Sequence, residues 1–269
     1  MFTATHGILA RPSGAAFDAD AQAFITAAVI TDVTQQNAIN TLVVDLKGYS
    51  IWTKMKAIYP IVGGTASQHK YNLKDPRDLD AAFRLTYAVG WTHSANGMLP
   101  NGVTYANTFF KPTTEGLTYN NNHLSYYSRT ITAFDFYDMG SGTVGNTDLL
   151  SLWIRRTANT IGYDSGAFPG NRLTVANLDG RGFYNNTSPS TTAKIFKNGV
   201  SVASKINTAS AISNINVQIG AFLESGGFGY YYGNKQCAFA SIGDGLTDTD
   251  AANFYTAVQA YQTSLSRQV

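Results

Sequence analysis

The order of apolar and polar positions changes character along the chain. Phe17 to Ile30 (FDADAQAFITAAVI) is alanine-rich and repeats Phe24, Ala27 and Ala28 at the spacing of one helical face, which predicts a first helix. A second follows directly. Asp32 is placed as an N-cap with Gln35 three residues on, Ile39, Leu42, Val43 and Leu46 recur at helical spacing, and Gly48 is a natural stop. A short third element, Trp52 to Ile58, closes this helical stretch before Pro60. The turn signals Gly63-Gly64-Thr65-Ala66-Ser67 and Asp75-Pro76 then place a boundary near residue 75.

From Leu79 the period shortens to two, with Phe83, Leu85 and Tyr87 on one face and Arg84 and Thr86 on the other. Similar runs recur over 123–130, 148–157, 172–177, 193–196, 200–203, 217–222 and 236–242, separated by stretches rich in Gly, Asn, Pro and Ser. Short strands without helical segments between them predict an antiparallel β-sandwich rather than βαβ units. Asn198-Gly199, between KIFK and VSVA, predicts a two-residue type I′ hairpin. The end returns to helix over 247–266: Thr247 and Asp250 make a capping-box-like start, and Ala251, Phe254, Tyr255, Val258, Tyr261 and Leu265 form one apolar stripe that docks on the sandwich. The expected fold is therefore mainly β, an antiparallel sandwich over 76–269 preceded by a helical segment over 1–75.

Composition narrows the function classes. Charged residues make up 13% of the 269, about half the usual share, so Thr, Asn, Ser, Gly and Tyr must cover much of the surface. A formal charge of +2, with scattered Lys and Arg, does not make a nucleic-acid surface. The single cysteine, Cys237, sits in an apolar run and is expected to be a buried, inert thiol. The start, MFTATHGILARPSG, lacks the basic and apolar regions of a signal peptide, and no run is long enough for a membrane helix, so synthesis in a cytoplasm without membrane insertion is expected. The four histidines are scattered, no G-x-S-x-G elbow occurs, and no cofactor is implied.

Residues 195–269 carry a family resemblance. A strand ending in an N-G hairpin (IFKNGVSVA, 195–203) precedes an I-G-A strand (QIGAF, 218–222), a glycine-rich loop, the strand CAFASIGDGL (237–246) and the helix start Leu246-Thr247-Asp248-Thr249-Asp250. This ordered set resembles the closing part of a concanavalin A-like lectin/laminin-G-type jelly roll. FASIGDGLTDTDAANFYTAVQAYQT and KDPRDLDAAFRL also resemble virion- or tail-associated proteins of tailed bacteriophages, including those of crAss-like type.

The resemblance implies a virion structural protein whose residues 1–75 attach to other virion proteins, with oligomers about the particle and contact with host-surface glycans. On that reading, deleting residues 1–60 leaves a soluble sandwich that no longer joins particles. The alternative is a stand-alone glycan-binding lectin module. Enzymatic members of the superfamily use an E-x-D-x-E strand, but only Glu115 and Glu224 are present, so a non-enzyme is expected. Calcium-binding members use rim Asp and Asn oxygens, for which Asp244 and Asp248 are the nearest candidates; at Asp248 the helix N-terminus already accounts for the charge. Glycan binding pairs aromatic platforms with amides and hydroxyls, and the loops offer Trp91, Asn121, Tyr230, Tyr232 and Asn234 as the candidate set.

Overall fold

The computed structural model describes residues 16–225 and 230–269. Its helices form where their caps predict. α1 (Ala19–Ala27) starts where the Asp18 carboxylate accepts from the Asp20 N–H. α2 (Val33–Gly48) starts at Asp32, which accepts from the Gln35 N–H at 2.8 Å, and ends at Gly48. α3 (Ala66–His69) is a single turn. α4 (Asp248–Ser264) opens on a complete Thr247/Asp250 capping box. No helix among the described residues is long and apolar enough to cross a membrane.

The strands build two sheets. Among the described residues the first contains β1 (Met55–Tyr59), β3 (Trp91–Ser94), β4 (Gly97–Pro100), β6 (Asn122–Ser128), β11 (Gly182–Ser188), β12 (Thr192–Lys197), β13 (Val200–Ile206) and β17 (Cys237–Gly243). Their order is β13-β12-β11-β6-β17-β4-β3, with β1 also paired to β17. The second contains β2 (Thr86–Tyr87), β5 (Ala106–Asn107), β7 (Met139–Gly142), β8 (Leu149–Trp153), β9 (Thr160–Ser165), β10 (Arg172–Ala176), β14 (Gln218–Ile219), β15 (Ala221–Glu224) and β16 (Tyr230–Tyr232). Its path is β10-β9-β8-β7-β14-β5-β2, and β15 joins β16 to β7. Every pairing is antiparallel except β15 with β7. This is the expected sandwich, and Asn198 and Gly199 (φ 50° and 75°) make the expected hairpin turn between β12 and β13.

Two cores follow from the alternation of side chains. Between the sheets lie Tyr126, Tyr163, Tyr184, Leu150, Leu152, Ile195 and Cys237, whose thiol burial pushes up to about 12, a free and unreactive group. The outer face of the first sheet turns Tyr127, Phe183 and Phe239 toward α1, α2 and α4. Phe24, Leu42 and Leu46 meet Phe254, Val258 and Tyr261 there, and Phe254 stands edge-on to Phe183 at 5.0 Å. The molecule thus has three layers: helices, first sheet, second sheet.

The layering runs across the expected boundary near residue 75. After one 3-10 turn at Trp52–Lys54, residues 55–59 form a strand and not a helix, paired with 240–243 of β17. Met55 and Ile58 face the helical core, while Ala57 and Tyr59 face the inter-sheet core, so both faces are apolar and no period of two was visible. The packing is continuous across residue 75, and the apolar faces of α1 and α2 are covered by the chain itself. The expected strand at 79–87 is also shortened: Asp80–Ala82 is a 3-10 turn, Phe83 has φ 59°, and ion pairs from Lys70 and Arg84 to Asp78 hold the loop.

Arg267, just past α4, is 1% exposed and ties α4 to the first sheet. It donates to the carbonyls of Pro60, Ile61, Ala95 and Ala238 and to Gln262 Oε1.

Two histidines are buried neutral. His123 on β6 donates from Nδ1 to the Asp244 carbonyl at 2.6 Å, leaving Nε2 to accept from Ser241 Oγ at 3.0 Å. His69 accepts from the Gly64 N–H at Nε2, so its Nδ1 donates to His93 Nδ1 at 2.9 Å. Burial pushes His123 down to about 4, with Lys54 adding to the effect against the Asp244 bond, and pushes His69 down to about 3, with His93 and Arg267 adding. An unfolded imidazole titrates near 6.5. Above that pH neither state binds the proton; below it the unfolded chain does and the folded chain does not, so stability falls with pH. The expected loss between pH 7.5 and 4.5 is roughly 2–3 kcal/mol per imidazole, read as a falling urea midpoint and flattened in His123→Gln. A midpoint constant across that window would show that these rings are not buried neutral.

Candidate functional site

Helices cover the outer face of the first sheet; the outer face of the second sheet has no such layer among the described residues. Along β8, Leu150 and Leu152 point into the inter-sheet core, so Leu149, Ser151 and Trp153 point outward. Trp153 lies opposite Gly162 of β9, where an added Cβ would fall 1.9 Å from the indole. The ring therefore rests flat on bare backbone. Phe222 does the same over Gly142, where an added Cβ would come within 2.6 Å of it.

Tyr137, from the segment before β7, joins these rings. It stacks on Phe222 at 4.7 Å and 28° and stands edge-on to Trp153 at 5.5 Å. Tyr231 of β16 (38% exposed) leans on Phe136 (43% exposed) at 5.8 Å and closes the rim. Asp135, Asn146, Arg156, Phe168 and Arg172 complete a cavity of about 340 Å³.

The charged groups around this cavity differ in how far they are used. Arg172 makes two bonds to the buried Asp164 carboxylate, at 2.7 and 2.8 Å, and one to the Tyr137 hydroxyl at 2.8 Å. Ser151 Oγ donates to the same carboxylate at 2.9 Å. Burial works against the Arg172 charge, but Asp164 outweighs it and holds the guanidinium pKa above its ordinary value. Asp135 accepts from the Thr157 N–H at 2.7 Å and from its hydroxyl, which holds its carboxyl below the usual range. Asp138, three residues on, is buried; burial pushes its carboxyl up, and it accepts from the Ile154 N–H. The two carboxylates do not converge. The Arg156 guanidinium lies 4.0 Å from the Trp153 ring centre and 4.6 Å from that of Tyr137. Its Nε is buried without a partner. Chemically, the site offers stacked ring faces and a positioned cation.

The residues expected from sequence are distributed otherwise. Trp91 on β3 is half-buried, lies over Gly220 and donates from Nε1 to the Tyr105 carbonyl at 3.0 Å. Tyr232 pairs with Ala221 beside the same bend, and Asn234 accepts from Lys235 Nζ at 3.2 Å. Trp91 and Tyr232 thus gather at the Gly220 bend, and Asn234 follows two residues after Tyr232. The Tyr230 backbone pairs with Leu223, and its side chain lies outside the described residues. Asn121 is remote, at the opposite end of β6 from the Trp91 hairpin, bonded to the Gly245 N–H and Asp244. Of Tyr231 and Tyr232, Tyr231 is the one that lines the cavity.

Trp153, Tyr137, Phe222, Arg156 and Arg172 were not singled out. The visible signal was LLSLWIRR, in which a tryptophan shares the outward face with Ser151. At the rim, Asp244 lies 3.9 Å from Lys56 and Asp248 lies 2.5 Å from Lys194. No group of three or more His, Cys, Asp or Glu among the described residues is placed to hold a metal ion.

No protein-family model matches the sequence, and no curated protein matches it. Solved structures do resemble the fold. A Trypanosoma rangeli sialidase mutant displaying trans-sialidase activity aligns with a TM-score of 0.54 at 11% identity, over 84% of this chain and 39% of that one. Domain 4 of a Geobacillus stearothermophilus GH43 extracellular arabinanase, in complex with arabinotriose, aligns with a TM-score of 0.44 at 13% identity, over 75% and 98%. The CBM40 domain of a Ruminococcus gnavus IT-sialidase aligns with a TM-score of 0.37 at 23% identity, over 51% and 82%. The chain therefore spans about two fifths of the sialidase, and the likeness is one of fold.

Proposed function

We propose that the chain is a non-catalytic glycan-binding module whose ligand seats on the outer face of the second sheet. The observation that carries this reading is the cavity in which the exposed rings of Tyr231 and Phe136 stand at the rim of the buried Tyr137–Phe222 stack, with the Arg156 guanidinium lying over Tyr137 and Trp153. Aromatic rings held flat present π-faces to the apolar C–H side of a sugar ring, and fixed donors orient its polar groups. A volume of about 340 Å³ suits a terminal sugar rather than a long chain laid across the sheet. A non-catalytic role is supported by Asp135, the cavity's carboxylate, whose oxygens both accept from Thr157. The sialidase sharing the fold has also been solved in complex with sialic acid, which agrees with a carbohydrate ligand.

Binding to a broad glycan array, followed by titration calorimetry on the strongest ligand, tests the reading. Tyr231→Ala is expected to weaken binding at least tenfold, by loss of a stacking face, while leaving the melting temperature nearly unchanged because the ring is partly exposed. No binding across the array, or full affinity in the variant, would overturn it. A place on a phage particle is a separate proposal, read from co-purification with virions. Its anchor would have to be something other than the apolar faces of α1 and α2.

A further inference from the structure

Arg156 and Arg172 line the aromatic cavity, Arg155 directly precedes Arg156 in the chain, and of the three the protein uses Arg155 and Arg172. Arg155 donates to the Ile131 carbonyl at 2.6 Å and twice to Asn159 Oδ1, at 3.0 and 2.8 Å. Arg172 is neutralised by Asp164. Among the described residues Arg156 makes no side-chain hydrogen bond. Its Nε is buried and orphaned, so its accessible donors are the terminal nitrogens at the cavity. The guanidinium itself lies over two rings, Trp153 and Tyr137. A guanidinium fixed by stacking, with its terminal fork unpaired, is preorganised for a planar anion with two oxygens. Asp135 lines the same cavity and offsets part of the charge, but its hydrogen bonds go to Thr157 and not to Arg156.

We propose that the ligand is an acidic glycan, a sugar bearing a carboxylate, which Arg156 binds through its terminal nitrogens while the sugar ring stacks on the exposed ring of Tyr231. The proposal rests on the glycan-binding reading above. Arg172 is a positioning residue here: bonded to Asp164 and to the Tyr137 hydroxyl, it fixes the platform.

The test compares affinities of the full chain for three sets of probes. These are α2,3-sialyllactose and a glucuronic acid-terminated disaccharide, the methyl esters of both, and lactose. For at least one acid, binding at least tenfold tighter than to its ester is expected, the scale of one charge-assisted hydrogen-bonded pair. Arg156→Gln should abolish that gain, so that acid and ester bind alike; Arg156→Lys should restore part of it. Raising salt should weaken acid binding and spare the ester. Equal affinity for acid and ester in the parent chain overturns the proposal, as does an acid preference that survives Arg156→Gln. The ester comparison alters no residue, so it holds even if a variant disturbs the platform. Tyr231-dependent binding of neutral sugars alone would sink this proposal and leave the glycan-binding reading standing; binding of no sugar would sink both.

Discussion

Deleting residues 1–60 is expected to give a chain that does not fold, in place of the soluble sandwich that the sequence pattern suggested. The deletion removes α1, α2 and β1. β17 then loses its Met55–Tyr59 partner, and Arg267 loses the Pro60 carbonyl. Tyr127, Phe183, Phe239, Phe254, Val258 and Tyr261, all 2% exposed or less, lose the helices that cover much of that face. At roughly 1.5–3 kcal/mol for each large apolar side chain returned to water, losing the burial of four costs about 6–12 kcal/mol. That equals the whole stability of an ordinary domain, about 5–15 kcal/mol. The truncated chain should therefore appear in inclusion bodies or as an aggregate with no near-UV circular dichroism. A soluble, monodisperse product with native near-UV bands would show that the helical layer is an appendage after all, and would reopen attachment through its apolar faces.

What the sequence pattern makes legible and what it hides have one physical cause. Signals closed within a few residues were legible. Asp32 with Gln35, Thr247 with Asp250, and Asn198-Gly199 each satisfy their own backbone groups, and each stands where predicted. Signals that need a distant partner were not. TIGYDS and GFYNNTS read as loops because Asn, Thr and Ser interrupt them, yet they are β9 and β11 at the centre of the sandwich. Their polar groups find partners across the fold: Asn186 Nδ2 donates to the Gly162 carbonyl, Asn122 Nδ2 to Ser165 Oγ, and the Tyr163 hydroxyl to Asn122 Oδ1. The site was hidden for the same reason. Its rings and cations come from the segment before β7, from β8 and the loop after it, and from β10, β15 and β16. Within the tyrosine triplet, alternation separates Tyr231 from its neighbours but does not say which side meets Tyr137 and Phe222.

Replacing Arg267 by Met is expected to cost more than any other single side chain described above. Its five N–H groups make five hydrogen bonds, four of them to main-chain carbonyls on three separate segments: Pro60 and Ile61 after β1, Ala95 in the β3–β4 hairpin, and Ala238 in β17. The fifth, to Gln262 Oε1 at 2.6 Å, fastens the last turn of α4 to the same point. No carboxylate faces the buried guanidinium in the bonds it makes; carbonyl dipoles and the Tyr261 ring, 5.3 Å from the guanidinium, stabilise the charge, and burial lowers its pKa. A methionine fills much of the volume but removes all five hydrogen bonds, each worth about 1–1.5 kcal/mol; Pro60 and Ala238 keep their bonds from the Tyr261 hydroxyl and Gln262 Nε2, while Ile61 and Gln262 Oε1 lose the guanidinium. The expected loss is roughly 4–8 kcal/mol, read as a much lower urea midpoint. Arg267→Lys separates charge from geometry. An ammonium keeps the charge but has three donors on one nitrogen, which cannot span acceptors set around a planar fork, so it should recover little. A Lys variant as stable as the parent would mean that the charge, and not the five-bond geometry, fastens α4 to the first sheet.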